Sequence, residues 1–171
     1  ASTHRVQPPC AWAAAGTCGG CDLQHVDVAE QRAMKSEIVA QALRRVWEAP
    51  IPVHALPGGP LHWRTSVRWS IDADGHPGLL APRSHRVTRI ARCLLASPGI
   101  DVADLPAQRM PGHRTVLTRE GSDGDVSITV DPGTTDAMQV AGPGRVTRTV
   151  HHRAWRISAG TFWQVHREAA T

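Results

Sequence analysis

The sequence predicts an α+β protein, with an N-terminal cysteine loop and one helix packed on a mostly antiparallel sheet of short strands. Three observations predict it. Between residues 27 and 50 apolar residues recur every four positions, the stripe of an amphipathic helix. From residue 50 onward apolar and polar residues alternate in short runs, the period of a half-buried strand. Between those runs lie "DADG" at 72–75 and "GSDG" at 121–124, which are hairpin signals.

The helix is read first. Asp27 with Glu30 three residues later forms a capping-box-like start. Met34, Ile38, Ala42 and Val46 make the stripe, with Val39 and Leu43 beside them, and the stripe is expected to face a core. Arg44 and Arg45 suit the negative end of the helix dipole, and Pro50 with Pro52 stop it. "TSVRWSID" then places Val67, Trp69 and Ile71 on one face and Ser66, Arg68 and Ser70 on the other. "HRVTRIA" alternates again, and "RTVLTRE" and "DVSITVD" flank "GSDG". "GRVTRTV" and "RAWRISAG" complete six or seven expected strands. Segment 95–113, rich in Pro and Gly, reads as a loop or short irregular helix. The tail "SAGTFWQVHREAAT" reads as a strand end entering a new helix, which suggests part of something longer.

At 171 residues the chain is long enough for a core without staples. Hydrophobic residues are 41% and charged residues 20%, the balance of a globular protein. No apolar run approaches the ~20 residues that span a bilayer. "ASTHRVQPPC" lacks the apolar stretch of a signal peptide, so a cytoplasmic setting without membrane contact is expected. The net charge is +4, and 18 of the 19 basic residues are arginine, with Lys35 the exception. Arginine's planar fork suits phosphate, so the surplus points towards an acidic partner, or else reflects the codon bias of a GC-rich genome.

The cysteines are Cys10, Cys18, Cys21 and Cys93. The first three read C-x7-C-x2-C, and the last follows after 71 further residues. Two thiolates with two residues between them can reach one metal centre, and Gly19 with Gly20 lets the backbone wrap closely. A clustered trio completed by a distant cysteine is an iron–sulfur pattern. Zinc also takes four such ligands, usually as two close pairs. Disulfides would require an oxidising compartment.

"CAWAAAGTCGGCDLQH", Cys10 to His25, resembles the cluster motif of the iron–sulfur RNA uracil-5-methyltransferases, which act on 23S rRNA or tRNA. Cys21, Gln24 and His25 stand where that motif puts them. "QRAMKSEIV", "WRTSVRWSIDADGHPGLLAPRSHRVTRIARCLLASP" and "SAGTFWQVH" are similar to later parts of the family, so the likeness runs from Cys10 to His166. It implies that Cys10, Cys18, Cys21 and Cys93 hold a [4Fe–4S] cluster. It implies RNA as partner, with Arg64, Arg68, Arg83, Arg86, Arg89 and Phe162 in contact with it. Between positions 62 and 92 only Asp72 and Asp74 oppose the arginines, and a solvated sheet face is the plainer account of them. The chain departs from the family at Thr65 and Ser66, where Asn and a basic residue are common.

By the same resemblance Gln164 belongs to an S-adenosylmethionine pocket, with His166 in place of the usual Asn. Residues 1–158 are then expected to be the central, cluster-bearing RNA-recognition domain, and 159–171 the start of a methyltransferase domain. A doubly wound S-adenosylmethionine fold needs alternating strands and helices with a glycine-rich turn, and the sequence lacks that pattern. No catalytic residue is therefore expected within it, and the chain alone is expected to be inactive. A free-standing zinc or iron–sulfur RNA-binding module without activity is the alternative.

Overall fold

A computed structural model of the chain describes residues 2–101, 105, 108–131, 138–158 and 160–169. Among these the α+β expectation holds. Three helices, α1 (Ala11–Ala14), α2 (Val28–Leu43) and α3 (Pro98–Asp101), accompany eight strands. β1 (Ser66–Ile71), β2 (Pro77–Leu80), β3 (Val87–Thr88), β4 (Thr115–Glu120), β5 (Val126–Asp131) and β6 (Met138–Ala141) form one sheet in the order β3-β2-β1-β4-β5-β6. Its neighbouring strands are all antiparallel. β7 (Arg145–Val150) and β8 (Arg153–Ser158) make a separate antiparallel pair.

The alternation in β1 does what its period dictates. Val67 and Trp69 are each 2% exposed, while Arg68 points to solvent. Val67 lies opposite Thr118 and Trp69 opposite Val116, so one face of β1 and β4 enters the core with Ile128 and Val130 of β5. The Trp69 indole donates to the Thr118 hydroxyl at 3.0 Å, and that hydroxyl donates to the Val67 carbonyl at 3.2 Å. Trp69→Ala is expected to cost about 4 kcal/mol of stability, since it leaves a large cavity and removes the donor that the Thr118 hydroxyl accepts from. Urea unfolding checks this.

The connection from β3 to β4 covers that face. Ile90, Cys93, Ala96, Ile100, Leu105 and Met110 are buried in the same core. This segment was expected to be a loop or short irregular helix, and α3 is that helix. Residues 102–104, 106 and 107 lie outside the described residues.

The structure corrects several details of the helix and the strands. α2 ends at Leu43 with Arg44 as its C-cap, so Arg44 and Arg45 stand at its negative end as expected. Asp27 caps its start by accepting from the Ala29 and Glu30 amides, but Glu30 does not complete the box. The Asp27 amide bonds the His4 carbonyl instead, and Glu30 faces the His4 ring at 3.6 Å. The apolar stripe of α2 is also not a core face. No residue of α2 is fully buried, and Ile38 is 63% exposed. Two strands were not anticipated, β2 and β6. The expected strand over 85–91 shrinks to Val87–Thr88.

Candidate functional site

The N-terminal loop is shaped by its backbone. α1 starts directly after Cys10, and the Thr17 and Cys18 amides both return to the Trp12 carbonyl, at 2.9 and 3.3 Å. This turns the chain so that Cys10 and Cys18 come round to one side. The Gly19 amide then donates to the Leu80 carbonyl of β2 at 2.8 Å, and the Thr88 hydroxyl of β3 donates to the Thr17 carbonyl at 2.6 Å. The loop is thereby fastened to the sheet edge. Gln24 accepts from the Cys10 amide at 3.2 Å and also hydrogen-bonds the Cys21 side chain. It links Cys10 to Cys21, the last residue of CGGC.

Cys93 arrives from the other side. It follows β3, and its carbonyl accepts from the Ala96 amide at 2.9 Å. Residues 62–64 run alongside. The His62 amide bonds Leu94, the Arg64 amide bonds Leu95, and the Ser97 amide returns to Arg64. As a result all four cysteines, with Trp12, Gln24 and Arg64, line one cavity. All four are free thiols.

The electrostatics match the crowding. Burial pushes the Cys18 thiol up, and nearby Cys93 and Cys10 push it further, against a hydrogen bond from the Gly20 backbone. Burial also raises Cys21, with Cys93 and Cys18 adding to it, while Gln24 and the Arg64 charge pull the other way. Bringing such thiols to the thiolate form together takes a multivalent cation among them. Among the described residues no group of three or more His, Cys, Asp or Glu side chains is placed so as to hold a metal ion.

The arginines separate into three environments. Arg68, Arg83 and Arg86 are exposed, and Arg83 takes the left-handed region at φ 50°. Arg89 is engaged by both Asp72 and Asp74. Arg83 and Arg89 do not share a strand, because β3 holds only two residues. Arg64 does not share the outer face of Arg68. It precedes β1, bridges to Ala96 and His166, and faces the cysteine cavity with its guanidinium 5.2 Å from the Trp63 ring. The hydrogen bond from Arg89 holds the Asp72 carboxyl below its ordinary range. A depressed carboxylate gives stability that is complete above its unfolded value and is lost as pH falls through the folded one. Asp72→Asn is therefore expected to flatten the acid limb of the melting-temperature profile below about pH 4. Thermal melts across that range check it.

The tail is tied to the start of β1. The Thr65 amide and hydroxyl both donate to the Val165 carbonyl, at 2.7 and 3.0 Å. His166 stacks on Trp63 with ring centroids 5.1 Å apart. Arg119, largely buried, donates to the carbonyls of Ser158 and Thr161. Phe162 is 81% exposed and Gln164 is exposed. The expected helix is absent among the described tail residues, where 167–169 form a turn. Residues 159, 170 and 171 lie outside them. Sequence reasoning did not place Arg64 or Trp12 at the cysteine cavity. Gln24 carried a signal, its place three residues after Cys21.

An α+β domain that gathers four dispersed thiols at one cavity beside exposed arginines defines a class: a cysteine-site domain with a cationic surface. No protein-family profile matches the chain. It is 33% identical to an uncharacterized RNA methyltransferase of Streptomyces coelicolor, over 99% of this chain and 45% of that protein. It is 34% identical to an uncharacterized RNA methyltransferase of Streptomyces avermitilis, over 99% of this chain and 48% of that one. It is 33% identical to the 23S rRNA (uracil(1939)-C(5))-methyltransferase RlmD of Halomonas elongata, over 76% of this chain and 29% of that protein. In fold it is similar to the tRNA (uracil-54, C5)-methyltransferase of Pyrococcus abyssi solved with S-adenosyl-L-homocysteine. The TM-score is 0.66 at 16% identity, covering 98% of this chain and 49% of that one. The chain is a relative of the RNA methyltransferases, and it spans about half the length of the relatives that it matches end to end.

Proposed function

We propose that this chain is the cluster-bearing, RNA-recognition part of an S-adenosylmethionine-dependent RNA uracil-C5-methyltransferase. The observation that carries the reading is the meeting of Cys10, Cys18, Cys21 and Cys93 at one cavity. Two independent chain segments supply them, which is the ligand arrangement a [4Fe–4S] cluster takes. When bound, the cluster would supply four soft bonds that fasten the N-terminal loop to the segment after β3. The role is structural. The chain's own residues prepare for it: Gln24 orients Cys21, and Arg64 sets a positive charge beside the thiols.

Arg68, Arg83 and Arg86 offer exposed cations to the RNA backbone, and such contacts position without reading sequence. Arg89 and Arg64 contribute less directly, the first through its carboxylate partners and the second through its inward position. Phe162 and Gln164 lie together in the exposed tail, where they would face a flipped uridine and the methyl donor. Among the described residues there is no doubly wound parallel sheet, and all four cysteines serve the cluster. The nucleophile that adds to uracil C6 and the fold that binds S-adenosylmethionine are therefore assigned outside residues 1–158.

The test uses the 171-residue chain with folded uridine-containing RNA and methyl-labelled S-adenosylmethionine. The reading expects RNA binding without methyl transfer. It also expects Arg68→Gln with Arg86→Gln to lower the salt dependence of binding by about one counterion for each removed charge. Methylation by the chain itself, or no RNA binding, contradicts the assignment.

A further inference from the structure

We infer that the β7–β8 hairpin is a second nucleic-acid site, a stacking platform for single-stranded RNA. The inference extends the RNA-binding reading above to a different part of the molecule. From residue 137 to residue 167 there is no Asp or Glu, but there are five arginines. Three of them, Arg145, Arg153 and Arg156, are exposed on the hairpin.

The register sorts the side chains. Arg148 lies opposite Trp155 and Val150 opposite Arg153, so Trp155 and Arg153 share one face. Arg145 pairs with Ser158 and Thr147 with Arg156, which puts Arg145 and Arg156 on the other face. At the inner end of the first face Val146 and Ile157 are buried, and they anchor the hairpin. Further out, Trp155 is 48% exposed. Its ring meets Trp163 at 6.4 Å and 44°. Arg119 fixes the intervening turn through the Ser158 and Thr161 carbonyls.

Aromatic rings at the surface of a rigid support, with Arg153 on the face of Trp155, are the components of a single-strand site, and the acids nearest that face, Glu120 and Glu168, sit by the buried Arg148. Bases stack on the rings and phosphates meet the guanidinium groups. The same rings without the charges would suit a protein surface. The long acid-free run is what favours RNA.

The experiment measures binding of the 171-residue chain to a short labelled oligouridine by fluorescence anisotropy over a range of salt. Trp155→Ala is expected to weaken binding about 5- to 50-fold, and Trp155→Phe, which keeps a ring, to stay within about threefold of the parent. Arg153→Gln is expected to reduce the slope of log affinity against log salt by about 0.7. These side chains are exposed, and thermal melts confirm that each variant folds. Arg153→Gln keeps the test valid if Trp155→Ala melts early. If all the hairpin variants bind as the parent does while Arg68→Gln with Arg86→Gln loses binding, the hairpin site is overturned. The RNA reading then survives, and the aromatic patch belongs to a protein contact. If the parent chain binds no RNA, both readings fall.

Discussion

Cys93→Ser is expected to abolish stable cluster binding and to lower the melting temperature by about 10 °C. Serine keeps the shape of the buried side chain, so the packing around it is little changed, but its hydroxyl is a poor ligand for iron. The thermal effect follows from topology. Cys93 is the only cysteine outside the N-terminal loop, and joining it to Cys21 closes 71 intervening residues. Cross-linking a loop of that length removes denatured-state entropy worth about 4 kcal/mol. In a domain of this size each kcal/mol moves the midpoint by about 2–4 °C. Iron analysis and a thermal melt of the variant against the parent, both handled anaerobically, read the two effects. An unchanged melting temperature would mean that the four cysteines share no bound group.

The second large effect is steric. A Cβ at Gly78 would lie 2.3 Å from the Thr88 carbonyl oxygen and 2.7 Å from a Val87 methyl. The first of these is backbone, so β2 and β3 must separate to admit it. Gly78→Val is expected to cost about 3 kcal/mol. It is also expected to reduce iron retention, because both walls of the cavity hang on this pair of strands. Leu80 of β2 holds the Gly19 amide, and β3 leads to Cys93. The two glycines of CGGC separate on the same argument. A Cβ at Gly19 would meet the Pro82 backbone at 3.0 Å, whereas one at Gly20 meets Cys18 Sγ at 3.6 Å and Leu79 at 3.7 Å, ordinary contact distances. Gly19→Ala is therefore expected to destabilise the chain and Gly20→Ala to leave its stability unchanged, as urea unfolding of the two variants would read.

The particular residues explain what the sequence made legible. The alternation of Val67, Trp69 and Ile71 revealed β1 because a sheet with one buried face imposes a period of two on its side chains. The hairpin turns at 72–75 and 121–124 were visible in "DADG" and "GSDG". β2 was not, because Pro77 and Gly78 are poor strand formers, and Gly78 is present for close approach and not for propensity. β6 was missed because all four of its residues are exposed and carry no burial pattern. The apolar period of α2 correctly signalled a helix. Periodicity reports a face, however, and does not say what covers it, and no core in the described residues does so.

The site divides in the same way. The clustered thiols and Cys93 could be picked out by residue type and motif. That they converge depends on the crossing of residues 62–64 beside 94–97, a long-range pairing with no local signature. The same crossing turns Arg64 inward to the thiols, although strand alternation alone places it beside Arg68.

The claim on which the account rests is that the four cysteines hold one iron–sulfur cluster. Anaerobic purification followed by iron, sulfide and zinc analysis with an absorption spectrum tests it most directly. The account predicts brown protein with about four irons and four sulfides per chain and a broad band near ~400 nm. Colourless protein carrying one zinc per chain, or no metal at all, would contradict it.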